Sequence, residues 1–181
     1  MAITDTKKYT VQEKLNKMDV DLIDVTVAPD VDNAGANAAG DLLWKPTEIP
    51  NAVAVNGGTA ILQSCCAIIS PMVTGAFDIV IASNTTTFVG DSSATDSSAT
   101  ETGDTVAAIE NTLAVMDGTC GFFSITNAFD AGVVAIGDKK NIGLVCKAES
   151  DSRSLYVWGI VQNTTDYNEG DIVLRFGFVK D

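Results

Sequence analysis

Two runs of apolar and β-branched residues bracket this chain and commit most of it to sheet. Residues 51–70 read NAVAVNGGTAILQSCCAIIS, and residues 154–181 read SLYVWGIVQNTTDYNEGDIVLRFGFVKD. Side chains on a strand alternate between faces, so such runs are stable only where at least one face is covered. Turn signals punctuate both: Asn56-Gly57-Gly58 in the first, Asn168-Glu169-Gly170-Asp171 in the second.

The alternation predicts strands over about Val20–Ala28, Asp41–Trp44 (closed by Pro46 and Pro50), Asn51–Val55, Thr59–Ser70, Phe77–Ala82, Cys120–Thr126, Val133–Ile136, Ile142–Ala148, Ser154–Gln162 and Asp171–Val179. In the fifth, Ile79 and Ile81 share one side, with Asp78, Val80 and Ala82 on the other. Gly57-Gly58 is expected to join Asn51–Val55 to Thr59–Ser70, and residues 70–75 to join that strand to the next. Ile142–Ala148 and Leu155–Val161, split by the polar run Glu149–Arg153, read as a hairpin. Leu155, Val157, Gly159 and Val161 fall on one face and Tyr156, Trp158 and Ile160 on the other. Both faces are apolar, so this strand is expected to be central, or to meet a partner.

Two segments carry helical spacing. Thr10 followed by Glu13 is a capping-box pattern, and Val11, Leu15, Met18, Leu22 and Val25 recur at four-three spacing. A helix is expected over Val11–Met18. Thr105–Met116, with Val106, Ile109, Leu113 and Met116 on one stripe, predicts a second, capped by Asp104 and ended by Gly118. Residues 29–40 are small and turn-rich. Residues 91–104, DSSATDSSATETGD, contain a direct repeat and too few apolar groups for a core, so they read as a solvated acidic loop. The expected organisation is an N-terminal arm, 1–28, and a β-rich domain, 29–181. The expected fold is mainly β: an antiparallel β-sandwich or small barrel with a short helical arm and one helix near 105–116.

The 181 residues include 24 acidic and 11 basic side chains, for a net charge of −13, and no histidine. A polyanion repels a phosphate backbone, so direct nucleic-acid binding is not expected. Lack of histidine removes Ser-His-Asp, Cys-His and imidazole-ligated metal schemes. Neither a signal peptide nor an apolar run of membrane-spanning length is legible, which predicts synthesis in a host cytoplasm without a membrane partner and leaves the sequons at Asn84 and Asn163 irrelevant. Of the four cysteines, Cys65 and Cys66 should point to opposite faces of one strand, as free thiols. None has CxxC spacing. A Cys120–Cys146 disulfide stays open, and nothing in the spacing argues for it.

Other constellations are weak. Asp30, Asp32, Gly35 and Asp41 echo part of a calcium loop, but Ala34 stands where an oxygen ligand belongs and the closing Glu is missing. Gly57-Gly58 lacks the Lys and helix of a phosphate loop. No pair of carboxylates is singled out for glycoside hydrolysis. Trp44, Tyr156, Trp158 and Tyr167 would serve sugar stacking if exposed, although strand tryptophans usually fill cores. No catalytic residue, metal ligand or cofactor is expected.

Residues 40–44 (GDLLW), 49–53 (IPNAV), 56–64 (NGGTAILQS), 155–159 (LYVWG) and 167–178 (YNEGDIVLRFGF), in this order, resemble a family of β-rich structural proteins of tailed-phage virions that decorate or cement the capsid. The resemblance spans most of the chain after Asp41 and leaves out the arm and the DSSAT loop. It implies a non-enzymatic protein on the outer shell of the virion, bridging capsid subunits, with the major capsid protein and further copies of this chain as partners. Val11, Leu15 and Met18 of the arm would bury against a neighbouring subunit, and Trp44 would anchor the start of the core or meet the shell. Residues 30–40 and 91–104 are further contact candidates. The alternative is a tail-fibre module that binds a receptor or carbohydrate.

Overall fold

Alternation alone builds the first strand, β1 (Asp19–Val27): Val25 and Val27 are buried, Asp24 and Thr26 exposed. The computed structural model describes residues 19–27, 42–69, 75–84, 118–126, 129–130, 134–162 and 172–180. Within them follow β2 (Leu42–Ile49), β3 (Thr59–Ile69), β4 (Ala76–Ala82), β5 (Thr119–Thr126), β6 (Phe129–Asp130), β7 (Ala135–Lys147), β8 (Leu155–Val161) and β9 (Ile172–Lys180). The expected helices at Val11–Met18 and 105–116 lie outside the described residues.

The strands form two antiparallel sheets, β1-β9-β3-β7-β6 and β2-β8-β4-β5. Four of the pairings are nested in sequence: β1 with β9, β2 with β8, β3 with β7, and β4 with β5. The first and third lie in one sheet, the second and fourth in the other. A long hairpin whose two legs cross together from sheet to sheet is a jelly roll. The sandwich expectation therefore holds, and β1 belongs to it as an edge strand of the larger sheet.

The core lies between the sheets. Trp44, Leu62, Phe77, Ile79, Ile81, Ile125, Phe176 and Phe178 are fully buried there. Each such side chain contributes roughly 1.5–3 kcal/mol relative to exposure. β8 is central, as its two apolar faces imply: Leu155, Val157 and Val161 enter this core. On the outer side Trp158 groups with Val80 and Ala82 in a second cluster, flanked by Tyr156 and Ile160. Ile79 and Ile81 of β4 face inward, opposite Val80 and Ala82, as their spacing predicts.

Several local expectations are corrected. Asn51–Val55 is not a strand. It is a loop held to the β7–β8 connection by Val53 N–H to the Arg153 carbonyl (3.1 Å) and Gly57 N–H to the Ser152 carbonyl (2.9 Å). No hairpin therefore joins it to β3. β7 and β8 do not pair; they lie in opposite sheets, as do β3 and β4. The turn signal at Glu149–Arg153 was real, but a tight turn can carry the chain across the sandwich as readily as back along one sheet. Val133–Ile136 and Ile142–Ala148 are not separate strands either: β7 runs through the polar stretch between them. Its register on β3 steps from Leu62↔Leu144 to Ser64↔Lys140, with Asn141 (φ 56°) and Gly143 (φ 67°) at positive φ. β2 does not stop at Pro46. It is an edge strand with register shifts between Leu42 and Trp44 and between Trp44 and Thr47. An irregular edge tolerates a residue with no N–H. The first shift also explains why the neighbours Leu43 and Trp44 are both buried.

Candidate functional site

At one end of the sandwich, the ends of β5 and β7 and the loops beside them enclose an open cleft of about 780 Å³. Asn56 and Gly57 line it from one loop, Ala148, Glu149 and Ser150 from the next, and Thr119, Cys120, Val145 and Lys147 from the two strands, with Ser83 and Gly118 at the side. The loops brace each other. Ala148 N–H bonds the Gly58 carbonyl (3.1 Å), Ser152 N–H the Glu149 carbonyl (3.0 Å), and Ser83 N–H the Gly118 carbonyl (2.7 Å). The Glu149 carboxylate accepts from Asn84 Nδ2 at 2.7 Å and from Ser83 Oγ at 3.3 Å. It is thus engaged in fixing the loop after β4 against the loop after β7.

Cys120 is the chemically distinctive group in this cleft. β5 pairs with β4 through Gly121↔Ile81 and then Thr119↔Ala82, so Cys120 is the extra residue of a bulge. Plain alternation would put Cys120 with Phe122 and Ser124, on the face opposite the buried Phe123 and Ile125. The bulge turns it inward instead, and it packs against the main core cluster, of which Cys146 on β7 is a member. Nearby, Gly121 lies so close to Leu144 that an added Cβ would fall 2.6 Å from its Cδ1. Cys120 Sγ is 4.0 Å from the Lys147 carbonyl oxygen, and Cys146 Sγ is 3.7 Å from that of Leu144. Cys146 is the neighbour that acts most strongly on the Cys120 thiol. Donation from Cys146 Sγ–H to Cys120 Sγ outweighs burial and brings Cys120 down to about 7. The same bond, with burial, drives Cys146 far upward, so it keeps its proton. All four cysteines are free.

Cys65 and Cys66 face opposite ways as expected. Cys65 is buried in the core and its thiol is raised by burial. Cys66 is half-buried on the outer face, raised by burial and then by Asp138. No group of three or more metal-ligating side chains occurs among the described residues. The Asp30–Asp41 segment, Tyr167, and the arm residues Val11, Leu15 and Met18 lie outside the described residues.

Trp44 sits inside the core. Its ring meets Phe77 edge-on (centroids 5.5 Å apart, planes at 81°) and lies over Gly159 of β8. Trp158 is also buried. Neither tryptophan is displayed for sugar stacking, so the aromatic surface considered from sequence does not form from them. A polar trio stands on the outer face of the smaller sheet: Asp78 Oδ1 accepts from Ser124 Oγ and from Gln162 Nε2, both at 2.6 Å. It ties β4, β5 and the end of β8 together. Sequence reasoning missed the cleft; it left a Cys120–Cys146 link open without support, because no spacing rule brings these two positions together.

No protein-family model matches the chain, and no curated protein matches it. Among solved structures, a chain of Desmodium yellow mottle tymovirus is similar at 13% identity, covering 91% of this chain and 89% of that one, with a TM-score of 0.26. A chain from a full particle of Israeli acute paralysis virus, heated to 63 degrees, is similar at 9% identity over 99% of this chain and 81% of that one, with a TM-score of 0.32. Superpositions at this level carry no weight for fold or function; the jelly-roll assignment stands on the strand order above.

Proposed function

We propose that this chain is a non-enzymatic structural protein of a virus particle: a decoration, or cement, protein that binds the outer shell of a tailed phage and bridges neighbouring capsid subunits. The observation that carries the reading is the nested, two-sheet strand order. Jelly rolls of this kind serve as shell proteins, sugar-binding domains and cupins. The inference is one of fold-level analogy joined to the sequence resemblance of residues 40–64 and 155–178. The other two uses have less support here. A metal-centred enzyme would favour imidazole ligands, and the chain has no histidine. Sugar stacking would need displayed aromatics, and Trp44 and Trp158 are inside.

A brace of this kind works by mass action. It binds the assembled shell and not its dissociated subunits, so each occupied site shifts the equilibrium toward assembly. The residues proposed to reach a neighbouring subunit are Val11, Leu15 and Met18, with residues 30–40 and 91–104 as further contacts. Trp44 serves by anchoring the start of β2 in the core. The partners are the major capsid protein and further copies of this chain. The negative charge suits an outer surface kept away from packaged DNA.

The test is co-sedimentation of the purified full chain with phage shells lacking it, followed by particle imaging. Saturation at a fixed number of copies per capsid subunit, with density on the outer surface, is the expected result. A truncation lacking residues 1–18 leaves every described strand intact and should lose shell binding while keeping its melting transition. A full chain that stays in the supernatant with every shell tried, or that turns over a glycan, would overturn the proposal.

A further inference from the structure

The fold brings together two thiols from opposite sheets, 26 positions apart in sequence, at the mouth of the cleft described above. Three independent features of the backbone produce the meeting. The bulge in β5 turns Cys120 inward. Gly121 lets the Leu144 side chain of β7 lie directly against β5, where an added Cβ would push its methyl aside. Alternation along β7 aims Cys146 at the core, with Ile142 and Leu144 beside it and Gly143 and Val145 facing out. Cys120 is half-buried and lines the cleft, whereas Cys146 is fully buried behind it. One thiol is thus open to a small reagent, and the second is closed to it.

We propose that Cys120 and Cys146 are a reactive dithiol site that takes a low-molecular-weight disulfide, such as oxidised glutathione, and closes a protein disulfide clasping β5 to β7 across the open edge of the sandwich. The exchange balances without another reagent. The Cys120 thiolate attacks one sulfur of the small disulfide, which releases one thiol and leaves a mixed disulfide on Cys120. Cys146 then gives up its proton to solvent and attacks the Cys120 sulfur, releasing the second thiol. The protein pair is oxidised by two electrons, and the small disulfide is reduced to two thiols. Cys120 is suited to go first because it carries the thiolate at neutral pH and faces the cleft; Cys146 is suited to resolve because nothing larger can reach it. The clasp closes a loop of about 27 residues in the unfolded chain, which by chain entropy raises the melting temperature by about 7–14 °C for a domain of this size.

The experiment treats the full-length reduced protein with oxidised glutathione at neutral pH and follows intact mass, peptide maps and melting. The expected product is lighter by two hydrogens, yields a linked Cys120–Cys146 peptide, and melts higher by the shift above, reversibly on reduction. Cys146→Ala should stop at a glutathione adduct on Cys120. Cys120→Ser should acquire neither link nor adduct at Cys146. Should Cys146→Ala fail to fold, Cys120→Ser, which changes a half-exposed edge residue, still reports on the order of attack. Linkage through Cys66 between two chains, a stable adduct on Cys120 in the wild type with no closure, or a linked product with unchanged melting would each overturn the proposal.

Discussion

Replacing Gly159 with alanine should destabilise the sandwich at its tightest seam. A Cβ at this position would stand 2.3 Å from both Cη2 and Cζ3 of Trp44 and 2.7 Å from Cε3. Carbon atoms in ordinary contact sit about 3.5–4.0 Å apart, so the ring would have to move by about 1.2 Å. It has nowhere to go: Trp44 is 1% exposed, Phe77, against which it stands edge-on, is 0% exposed, and Leu43 is buried beside it. Overpacking of a rigid core costs about 1–3 kcal/mol, and three ring atoms in simultaneous clash argue for the upper end. Alanine recovers about 0.4–1 kcal/mol by narrowing the unfolded ensemble. The net loss is about 2 kcal/mol, or about 4–8 °C in melting temperature. Urea unfolding followed by tryptophan emission would measure it, with an unchanged m value showing that only stability moved. The companion variant is Trp44→Phe. The indole N–H is buried with no hydrogen-bond partner among the described residues, so losing it removes a penalty along with some packing. In that background Gly159→Ala should cost less than half as much, a coupling visible in a double-mutant cycle. A Gly159→Ala protein within 0.5 kcal/mol of wild type, or the same cost in both backgrounds, would refute this account of the seam.

Alkylation by iodoacetamide in the native state should select Cys120, with a rate that rises through a midpoint at about pH 7, while Cys66, raised by burial, reacts only at higher pH. The titration belongs to the Cys120–Cys146 pair in a cleft that also holds Lys147 and Glu149, so Cys146→Ala should move the midpoint upward; an unmoved midpoint would contradict the hydrogen bond. Asp24 lies directly opposite Arg175, whose Nε and Nη2 hold its carboxylate at 2.7 Å each and keep it below the usual 3.8. The folded value is the lower one, so the pair's contribution is present above 3.8 and lost as pH falls through the lowered value. Asp24→Asn should therefore lower thermal stability slightly at neutral pH and flatten its decline below pH 3.8, so that variant and wild type converge in acid, which melting curves across that range would check. Asn141 sits at φ 56°, where glycine is unstrained, so Asn141→Ala should lose about 1 kcal/mol and Asn141→Gly should not; urea unfolding of both would tell.

Most strands were legible because a half-buried strand writes its two faces into alternate letters. Val25 and Val27 against Asp24 and Thr26, and Ile79 and Ile81 against Val80 and Ala82, sorted as their spacing said. The two-faced apolar pattern of Leu155–Val161 correctly announced a central strand. The errors came where chain reversals had to be interpreted. The run Glu149–Arg153 promised a turn and delivered one, yet β7 and β8 went to different sheets. Polar residues 137–141 resembled a break because a bulged strand whose outer side meets, among the described residues, only the two-residue β6 carries charge without harm.

The sequence by itself determined that the chain would be sheet, which faces of most strands would be dry, and that histidine chemistry was closed to it, because these are properties of composition and of the two-residue repeat. Only the tertiary structure decided which strands pair, and with that the nested order, the stacking of Trp44 on Gly159 and the meeting of Cys120 with Cys146. Partner choice is set by burial and register summed over residues far apart in sequence, and a single bulge at Cys120 reverses the side that local alternation assigns to a residue.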